Sequence, residues 1–319
     1  MSTSVDAVAA APTSAPTNRK RTPLGNHLTP RRGLLMVPAF LLIAIFMLGP
    51  IVYSIYLAFT NKAVRGENAK AVEFVALDNF ITAFSDDRFW NAVVLTLIFT
   101  LVSAVIGQNL LGMVLALLME KANRLVTFIG TSIVILAWIL PEVVAGYLLY
   151  TFFADQGSLN TLLTSIGLPG QDWLFSAPIL AVSFANIWRG TAFTMLIYSA
   201  ALTSIPKDVY ESAEIDGAGA FTRLLRITVP LMRTAIATNL MLITLQTLSV
   251  FGLIFIMTGG GPSGRSQTLP LYMYEQAFSY GQLGYGTAVA LILLAIGAIA
   301  SLIYLCLLYT SDAADERSS

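Results

Sequence analysis

The residues best able to bind a polar partner are concentrated in one stretch, Pro206–Pro230. Its sequence, PKDVYESAEIDGAGAFTRLLRITVP, lies between long apolar runs. Its charged residues are Lys207, Asp208, Glu211, Glu214, Asp216, Arg223 and Arg226. Such side chains form ion pairs and charged hydrogen bonds with a protein in water. We therefore predict that a water-soluble partner docks on this stretch, which we call the polar hairpin. The alternative is an ordinary solvated loop, because charged connections are common.

The composition disfavours most soluble enzyme chemistry. The chain has 319 residues, of which 56% are hydrophobic and 11% are charged, whereas soluble domains carry about 25% charged residues. The single histidine, His27, precedes the first apolar run, and the single cysteine, Cys306, allows no disulfide or thiolate metal site within the chain. A net charge of zero gives no indication of a nucleic-acid partner. We expect a membrane protein with no metal and no cofactor.

A bilayer-spanning helix needs about 20 apolar residues. Six segments reach that length and predict an all-α integral membrane protein: about residues 34–59, 92–119, 126–153, 177–203, 232–257 and 285–305. The first run is too long for a signal-peptide core of about 7–15 residues.

The distribution of lysine and arginine predicts the orientation, because basic residues favour the cytoplasmic side. If the N-terminus lies inside, twelve lysines and arginines are cytoplasmic and five are external. We therefore predict that both termini and the connection 204–231, which contains the polar hairpin, are cytoplasmic, and that the apolar segments are in contact with membrane lipid.

The polar hairpin itself is expected to form two short helices. Ser204 can cap a helix that starts near Pro206. Gly217 and Gly219 are expected to bracket a break, since glycine readily adopts positive φ. A second helix is expected over Phe221–Ile227. Three apolar side chains are available for packing: Val209, Ala213 and Phe221.

The apolar segments contain few residues that could recognise a solute. Arg189 lies halfway along its segment, and a central arginine costs about 2.5–3.5 kcal/mol on insertion scales. It should therefore face the bundle interior or a water-filled cavity. The alternative is that it bonds backbone carbonyls or a partner's carboxylate. The polar route would be lined by Asn186, Trp188, Arg189, Gln246 and Ser249, with Thr191 and Thr247. Glu142, beside Pro141, is expected to be structural, near a helix start or a kink.

Two features follow the fifth apolar segment. Gly259–Ser266 has the spacing of a phosphate-binding loop, but Arg265 replaces the lysine and no strand is expected before it. We reject nucleotide binding there and expect the glycines to permit a tight exit from the membrane. The next residues predict a helix that Thr268 caps and that buries Leu271, Tyr274 and Phe278 on one face.

The two ends of the chain are read separately. Residues 1–33 are polar, then basic, and are expected to be a disordered cytoplasmic tail. Residues 306–319, CLLYTSDAADERSS, look like a translated sequencing-adapter read-through. We expect the natural sequence to differ after Leu305.

The polar hairpin resembles the conserved cytoplasmic loop of binding-protein-dependent ABC importer permeases. The matching residues are Glu211, Ser212, Ala213, Asp216, Gly217, Ile227 and Pro230. Ser212 replaces the usual alanine, and Val229 the usual leucine. Further stretches that resemble the family are residues 77–92, 141–146 and 157–160, and TGGGP followed by TLPLYMYEQAF. The resemblance covers about residues 34–305. It is specific for the carbohydrate and glycerol-3-phosphate group, and the TGGGP loop is similar to that of the first, maltose-permease-like, of the paired permeases.

The resemblance implies a six-helix type I importer permease that crosses a bacterial inner membrane several times, and a set of partners. Two permeases form the pore, two ATPase subunits dock on the cytoplasmic loops, and an external solute-binding protein delivers the solute. In the family, the glutamate at the position of Glu211 contacts the ATPase. The chain itself would hydrolyse nothing, and it does not identify its solute.

Two other classes of function remain as alternatives. A secondary transporter driven by an ion gradient would usually keep ionisable residues at mid-membrane, where only Glu142 is available. A membrane-embedded enzyme is disfavoured because paired carboxylates, a usable cysteine and an intramembrane histidine are missing.

Overall fold

The computed structural model describes residues 30–316, with side chains for residues 36–306, and divides into two units, residues 1–51 and 52–319. The tail expected to be disordered lies mostly outside the described residues, as do the side chains beyond Cys306. The described part of the first unit is helical. Its elements are α1 (Pro30–Ile43), a π-helical segment (Ala44–Leu48) and the start of α2 (Gly49–Ala58).

The second unit is also helical, and its described residues form no β-strand beyond one isolated bridge between Thr60 and Phe74. Its first half contains α3 (Glu67–Lys70), α4 (Asp78–Ser85), α5 (Asp87–Phe99), a π-helical segment (Thr100–Gln108), α6 (Asn109–Lys121), α7 (Arg124–Ile139), α8 (Glu142–Phe153), α9 (Ser158–Ser165) and α10 (Trp173–Ser176).

Its second half contains α11 (Pro178–Thr203), α12 (Lys207–Ile215), α13 (Ala220–Arg223), a π-helical segment (Leu224–Thr228), α14 (Val229–Leu231), α15 (Arg233–Leu248), α16 (Gly252–Met257), a 3₁₀ turn (Pro262–Gly264), α17 (Leu269–Tyr274), a π-helical segment (Glu275–Ser279) and α18 (Leu283–Glu316). The expectation of an all-α membrane protein is confirmed.

Four continuous helices among the described residues are long and apolar enough to cross a membrane: Met36–Ala58, Asp87–Lys121, Pro178–Thr203 and Leu283–Cys306. The number rises to six if two bent helix pairs each count as one span. These pairs are Arg124–Ile139 with Glu142–Ser165, bent by 105°, and Ala220–Leu231 with Arg233–Leu248, bent by 73°.

Two apolar segments contain breaks, and only the one beside Glu142 was expected, as a helix start or a kink. The helix of the third segment ends at Ile139, and Leu140 and Pro141 are extended, with ψ of 131° and 140°. Pro141 has no N–H to continue the ladder, and a residue before proline avoids the helical region. The helix of the fifth segment ends at Leu248 and restarts at Gly252.

The central helix of the second unit is α11. Half of its most apolar stretch is buried inside the protein, whereas only 6% of the corresponding stretch of α18 is buried. The π-helical segment after α5 and helix α6 approach it closely through two glycines. A Cβ on Gly107 would lie 2.3 Å from the Ile187 side chain, and one on Gly112 would lie 2.4 Å from Thr194. A larger residue at Gly107 would displace the Ile187 side chain, and one at Gly112 would clash with the Cβ of Thr194.

The segment after the fifth span differs from expectation in two ways. Thr268 occupies the N-cap position of α17 but makes no capping hydrogen bond; instead the Leu269 N–H donates to Thr96 Oγ1 at 2.7 Å. Leu271 is buried as expected, but Phe278 is 66% exposed. The prediction for Phe278 was wrong because Glu275–Ser279 is π-helical, and that geometry changes which residues share a face.

Candidate functional site

The first arm of the polar hairpin is α12. The predicted cap is wrong, because the Ser204 hydroxyl donates to the carbonyl of Ala201 at 2.7 Å. Pro206 occupies the N-cap position instead, with φ −59° and no side-chain cap. Asp208 in the first turn stabilises the helix through its dipole.

The turn after α12 requires a glycine. Gly217 has φ +77°, a conformation that costs other L-residues about 1–2 kcal/mol. The Gly217 N–H donates to the Glu214 carbonyl at 3.0 Å, and the Ala218 N–H donates to the Ala213 carbonyl at 2.9 Å. This pair of bonds is the Schellman termination of a helix. Gly219, with φ −65°, does not need to be glycine for its conformation.

The second arm is not one regular helix. The expected helix over Phe221–Ile227 is observed as the short helix α13, followed by the π-helical segment Leu224–Thr228 and the single turn α14.

Two side-chain contacts tie the arms together. The hydroxyl oxygens of Tyr210 and Thr228 lie 3.1 Å apart. Arg223 Nη1 donates to Glu214 Oε2 at 3.2 Å; Glu214 is well exposed, so this ion pair contributes little. Ala213 faces inward and is buried. The hairpin is therefore an ordered element.

The residues expected at a partner interface are mostly accessible. Glu211, Ser212, Asp216, Gly217 and Pro230 are exposed, Ile227 is half-buried, and only Ala213 is buried. Ile215, for which no role was predicted, is 87% exposed, and Phe221, which was expected to be available for packing, is 72% exposed. Two apolar residues on either side of a predicted helix break could have indicated that both are exposed.

A groove of about 610 Å³ lies between the end of α6 and the polar hairpin. Its lining mixes apolar and charged side chains: Leu117, Glu120, Lys121, Tyr210, Ala220, Phe221, Arg223, Leu224 and Thr228. Because Phe221 forms one wall, the hairpin offers an apolar surface as well as a charged one.

Asn186 belongs to a buried hydrogen-bonded cluster. Its side-chain NH₂ donates to Ser103 Oγ at 2.8 Å and to Thr247 Oγ1 at 3.3 Å. Gln108 Nε2 donates to the backbone carbonyl of Asn186 at 3.1 Å. The cluster joins α11 to α15 and to the π-helical segment before α6. Asn186 is 5% exposed, so this arrangement positions helices.

A second polar cluster is centred on Asn239, and no sequence pattern predicted it. Its NH₂ donates to Asn109 Oδ1 at 3.1 Å and to Thr194 Oγ1 at 3.2 Å. The Tyr198 hydroxyl also donates to Asn109 Oδ1. These residues lie far apart in the sequence, on α6, α11 and α15, which explains why no local pattern revealed them.

The other expected pathway residues do not join these clusters. Arg189 makes no hydrogen bond or ion pair with the described residues, and its Nε is buried. Trp188 is half-buried beside it and packs against an apolar core. Gln246 is exposed, and the Ser249 hydroxyl donates to the carbonyl of Gln246 at 2.9 Å. The structure thus brings together Asn186 and Thr247, but not Arg189 and Ser249.

Glu142 is at the start of α8, as its position beside Pro141 predicted. Its Oε1 accepts a hydrogen bond from the Leu253 N–H at 3.0 Å. This bond caps the N-terminus of α16, where free N–H groups and the helix dipole favour a carboxylate.

The glycine loop after α16 has positive φ at Gly259, Gly260 and Gly261, of +56°, +97° and +68°. It follows a helix, and α17 starts only at Leu269. A phosphate-binding loop would follow a strand and open a helix directly. The loop therefore does not have the strand–loop–helix context of a phosphate-binding loop.

The known proteins that this chain resembles include several permease proteins of transport systems. The sulfoquinovosyl glycerol transport system permease protein of Agrobacterium fabrum is 31% identical over 283 residues, covering 88% of this chain and 90% of that protein. The trehalose/maltose transport system permease protein of Thermococcus litoralis is 28% identical, covering 85% and 91%. The osmoprotective compounds uptake permease protein of Synechocystis is 30% identical, covering 81% and 92%.

Solved structures show the same fold. A chain of a bacterial ABC transporter involved in the import of the acidic polysaccharide alginate matches with a TM-score of 0.75 at 24% identity, covering 88% of this chain and 96% of that chain. The alginate transporter in complex with a periplasmic protein matches with a TM-score of 0.73 at 24% identity, covering 86% and 93%.

A family model described as the inner membrane component of binding-protein-dependent transport systems matches residues 108–307. This range contains the polar hairpin and the helices on both sides of it. The resemblance to this family is thereby confirmed, and the matched range includes the positions of Glu211, Gly217 and Pro230. Because the match covers more than half of the sequence, the chain belongs to the family of binding-protein-dependent transport system inner membrane components.

Proposed function

We propose that this chain forms half of the transmembrane pathway of an ATP-driven importer for a carbohydrate or a related polyol or sugar phosphate. Its partners would be a second permease, cytosolic ATPase subunits and an external solute-binding protein. Both termini and the polar hairpin would face the cytoplasm.

The observation that carries the proposal is the ordered, exposed polar hairpin in a chain of this family. Glu211 is exposed on α12, while Ala213 is buried and Tyr210 packs against a buried cluster that includes Tyr198 and Leu202 of α11. We expect Glu211 to bind the ATPase, and Ile215 and Phe221 to enter apolar recesses of its surface. A helix seated in a groove is a common mode of protein recognition.

The mechanism needs a hairpin that moves as one piece. Closure of the ATPase subunits on ATP would push on α12, and a flexible loop would absorb that movement. The Tyr210–Thr228 contact and the Schellman turn at Gly217 oppose such bending. The movement would then pass through α13 and α14 to α15, where the chain direction changes by 73°.

The solute class is inferred from the relatives, whose names include a sulfoquinovosyl glycerol and a trehalose/maltose permease. Among the proposed pathway residues, Arg189 and Trp188 carry the chemistry for solute contact, because the guanidinium has no partner among the described residues and the indole can stack on a sugar ring. Asn186 would support the wall of the path. Gln246 and Ser249 would contribute polar groups along α15.

The test is co-expression with a cytosolic ATPase, a second permease and a solute-binding protein, followed by purification and an uptake screen with radiolabelled mono- and disaccharides. We expect the ATPase to co-purify and one sugar class to enter vesicles only with internal ATP. Uptake that follows a proton gradient without ATP would contradict the proposal.

A further inference from the structure

The breaks in the third and fifth apolar segments lie side by side. Helix α8 starts after Leu140 and Pro141, and α16 starts after Phe251. The Glu142 carboxylate bridges the two starts, since its Oε1 accepts the Leu253 N–H at 3.0 Å. A Cβ built on Gly252 would lie 3.3 Å from Glu142 Oε2, so that glycine lets the carboxylate approach the backbone.

Beyond the breaks, α8 and α16 pack tightly. A Cβ built on Gly146 would lie 3.1 Å from the Cβ of Ile256, so the two helices approach each other closely at this glycine. The buried side chains Leu149, Phe153, Ile254 and Met257 belong to one apolar cluster. Such an interior is close-packed and resists internal sliding.

The breaks themselves are the weak points of the two segments. A helix interruption removes main-chain hydrogen bonds, so the angle between the two halves can change at lower cost than inside a continuous helix. Residues at the ends of elements commonly serve as hinges in domain movements. Each segment therefore has a hinge, and Glu142 connects the two hinges.

We propose that α8 and α16 move as one rigid body during transport, and that Glu142 is the positioning residue that makes the hinges at Leu140–Pro141 and at Ser249–Phe251 act together. The inference rests on the family's transport activity and, for its nucleotide arm, on the proposed ATPase partner. Without the Glu142 carboxylate, the α16 N-terminus loses its cap and the two hinges lose their direct connection, so that only the apolar packing of α8 against α16 couples them.

The test uses cysteine cross-linking in the intact complex in membranes. The pair Gly146→Cys and Ile256→Cys is introduced with Cys306→Ser, which removes the only other cysteine of the sequence. The Cβ separation is within a few tenths of an ångström of the range of about 3.5–4.5 Å that disulfides use. Disulfide formation is measured without nucleotide and after trapping with ATP and vanadate. We expect the same disulfide yield in both conditions. We also expect that the cross-linked complex can still be trapped with ATP and vanadate.

A second arm tests the carboxylate without any nucleotide. We expect Glu142→Leu to slow cross-linking by about tenfold, because a charge-assisted hydrogen bond of this kind is lost. Glu142→Gln keeps an acceptor oxygen and should restore most of the rate. Val143→Leu, at a 52% exposed neighbour, is the matched control and should have no effect.

Three results would overturn the proposal. The first is a cross-linking yield that changes several-fold on trapping, and the second is a cross-linked complex that no longer traps vanadate. The third is Glu142→Leu behaving like Val143→Leu. If the unmodified complex traps no vanadate, the proposed ATPase coupling fails, while the nucleotide-free arm still decides the role of Glu142.

Discussion

The hydroxyl oxygens of Tyr210 and Thr228 lie 3.1 Å apart and join the two arms of the polar hairpin. Thr228 is only 3% exposed, so little water competes for this contact. The contact links α12 to the π-helical segment that leads into α15. The second side-chain contact between the arms, the Arg223–Glu214 ion pair, is open to solvent at Glu214, so the hydroxyl contact is the better protected of the two.

Tyr210→Phe should loosen the hairpin without unfolding the protein. The loss of one hydrogen bond costs about 1 kcal/mol, and more ATP should be hydrolysed per solute imported. The measurement is the ratio of ATP hydrolysis to uptake in proteoliposomes. Tyr147→Phe, at a 62% exposed tyrosine with no side-chain bond to the described residues, is the control. Equal ratios in the two variants would remove Tyr210 from the coupling.

Gly217 and Gly219 give a matched pair of substitutions, since a Cβ at either position meets nothing within 4 Å. Only Gly217 has positive φ, +77°. Gly217→Ala should destabilise the turn by about 1–2 kcal/mol, whereas Gly219→Ala should be nearly neutral. Hydrogen exchange of the α12 amides measures the difference. Equal exchange in both variants would show that the turn does not need its left-handed conformation.

Arg189→Ala should reduce uptake about tenfold or more, because a charged hydrogen bond to the solute is worth about 1.5–3 kcal/mol. Assembly should stay intact, because the Arg189 guanidinium makes no bond with the described residues. Arg189→Lys keeps the charge and should retain part of the uptake. Uptake and co-purification with the second permease are the two measurements. Loss of assembly together with uptake would instead assign Arg189 to the permease interface.

Asp86 gives a pH-dependent prediction outside the membrane spans. It accepts hydrogen bonds from the Tyr272 hydroxyl and the Arg88 N–H, both at 2.8 Å. Burial alone raises the pKa of Asp86, but these bonds and the Arg88 charge outweigh it and hold the pKa below 3.8. A carboxyl whose pKa is lowered on folding stabilises the protein above its unfolded pKa, and that stability is lost as the pH falls through the folded value.

Asp86→Asn should therefore lower Tm at pH 6, and the difference from wild type should shrink as the pH falls from about 4 towards 3. Thermal unfolding of the purified complex across this range is the measurement. Asp87→Asn, which neutralises the exposed neighbouring carboxylate, is the control. A difference that is constant with pH would show that the Asp86 charge adds nothing.

The sequence predicted features that depend on neighbouring residues. The turn at Gly217, the helix start at Glu142 and the apolar helices all follow from local rules. Contacts between distant segments could not be predicted, such as Asn186 with Thr247, which needs α11 and α15 packed side by side. The Ser204 cap failed because its hydroxyl bonds back to its own helix. Phe278 was wrongly predicted to be buried because no local sequence pattern indicates the π-helical turn that contains it.

The most direct measurement of the central claim is co-purification of the ATPase with Glu211→Arg. Asp155→Arg reverses an exposed carboxylate on the face expected to be external and is the matched control. We predict that Glu211→Arg loses the ATPase while the second permease still co-purifies, and that Asp155→Arg keeps both. Full retention of the ATPase by Glu211→Arg, with unchanged ATP-driven uptake, would contradict the assignment of the polar hairpin as the ATPase-binding element.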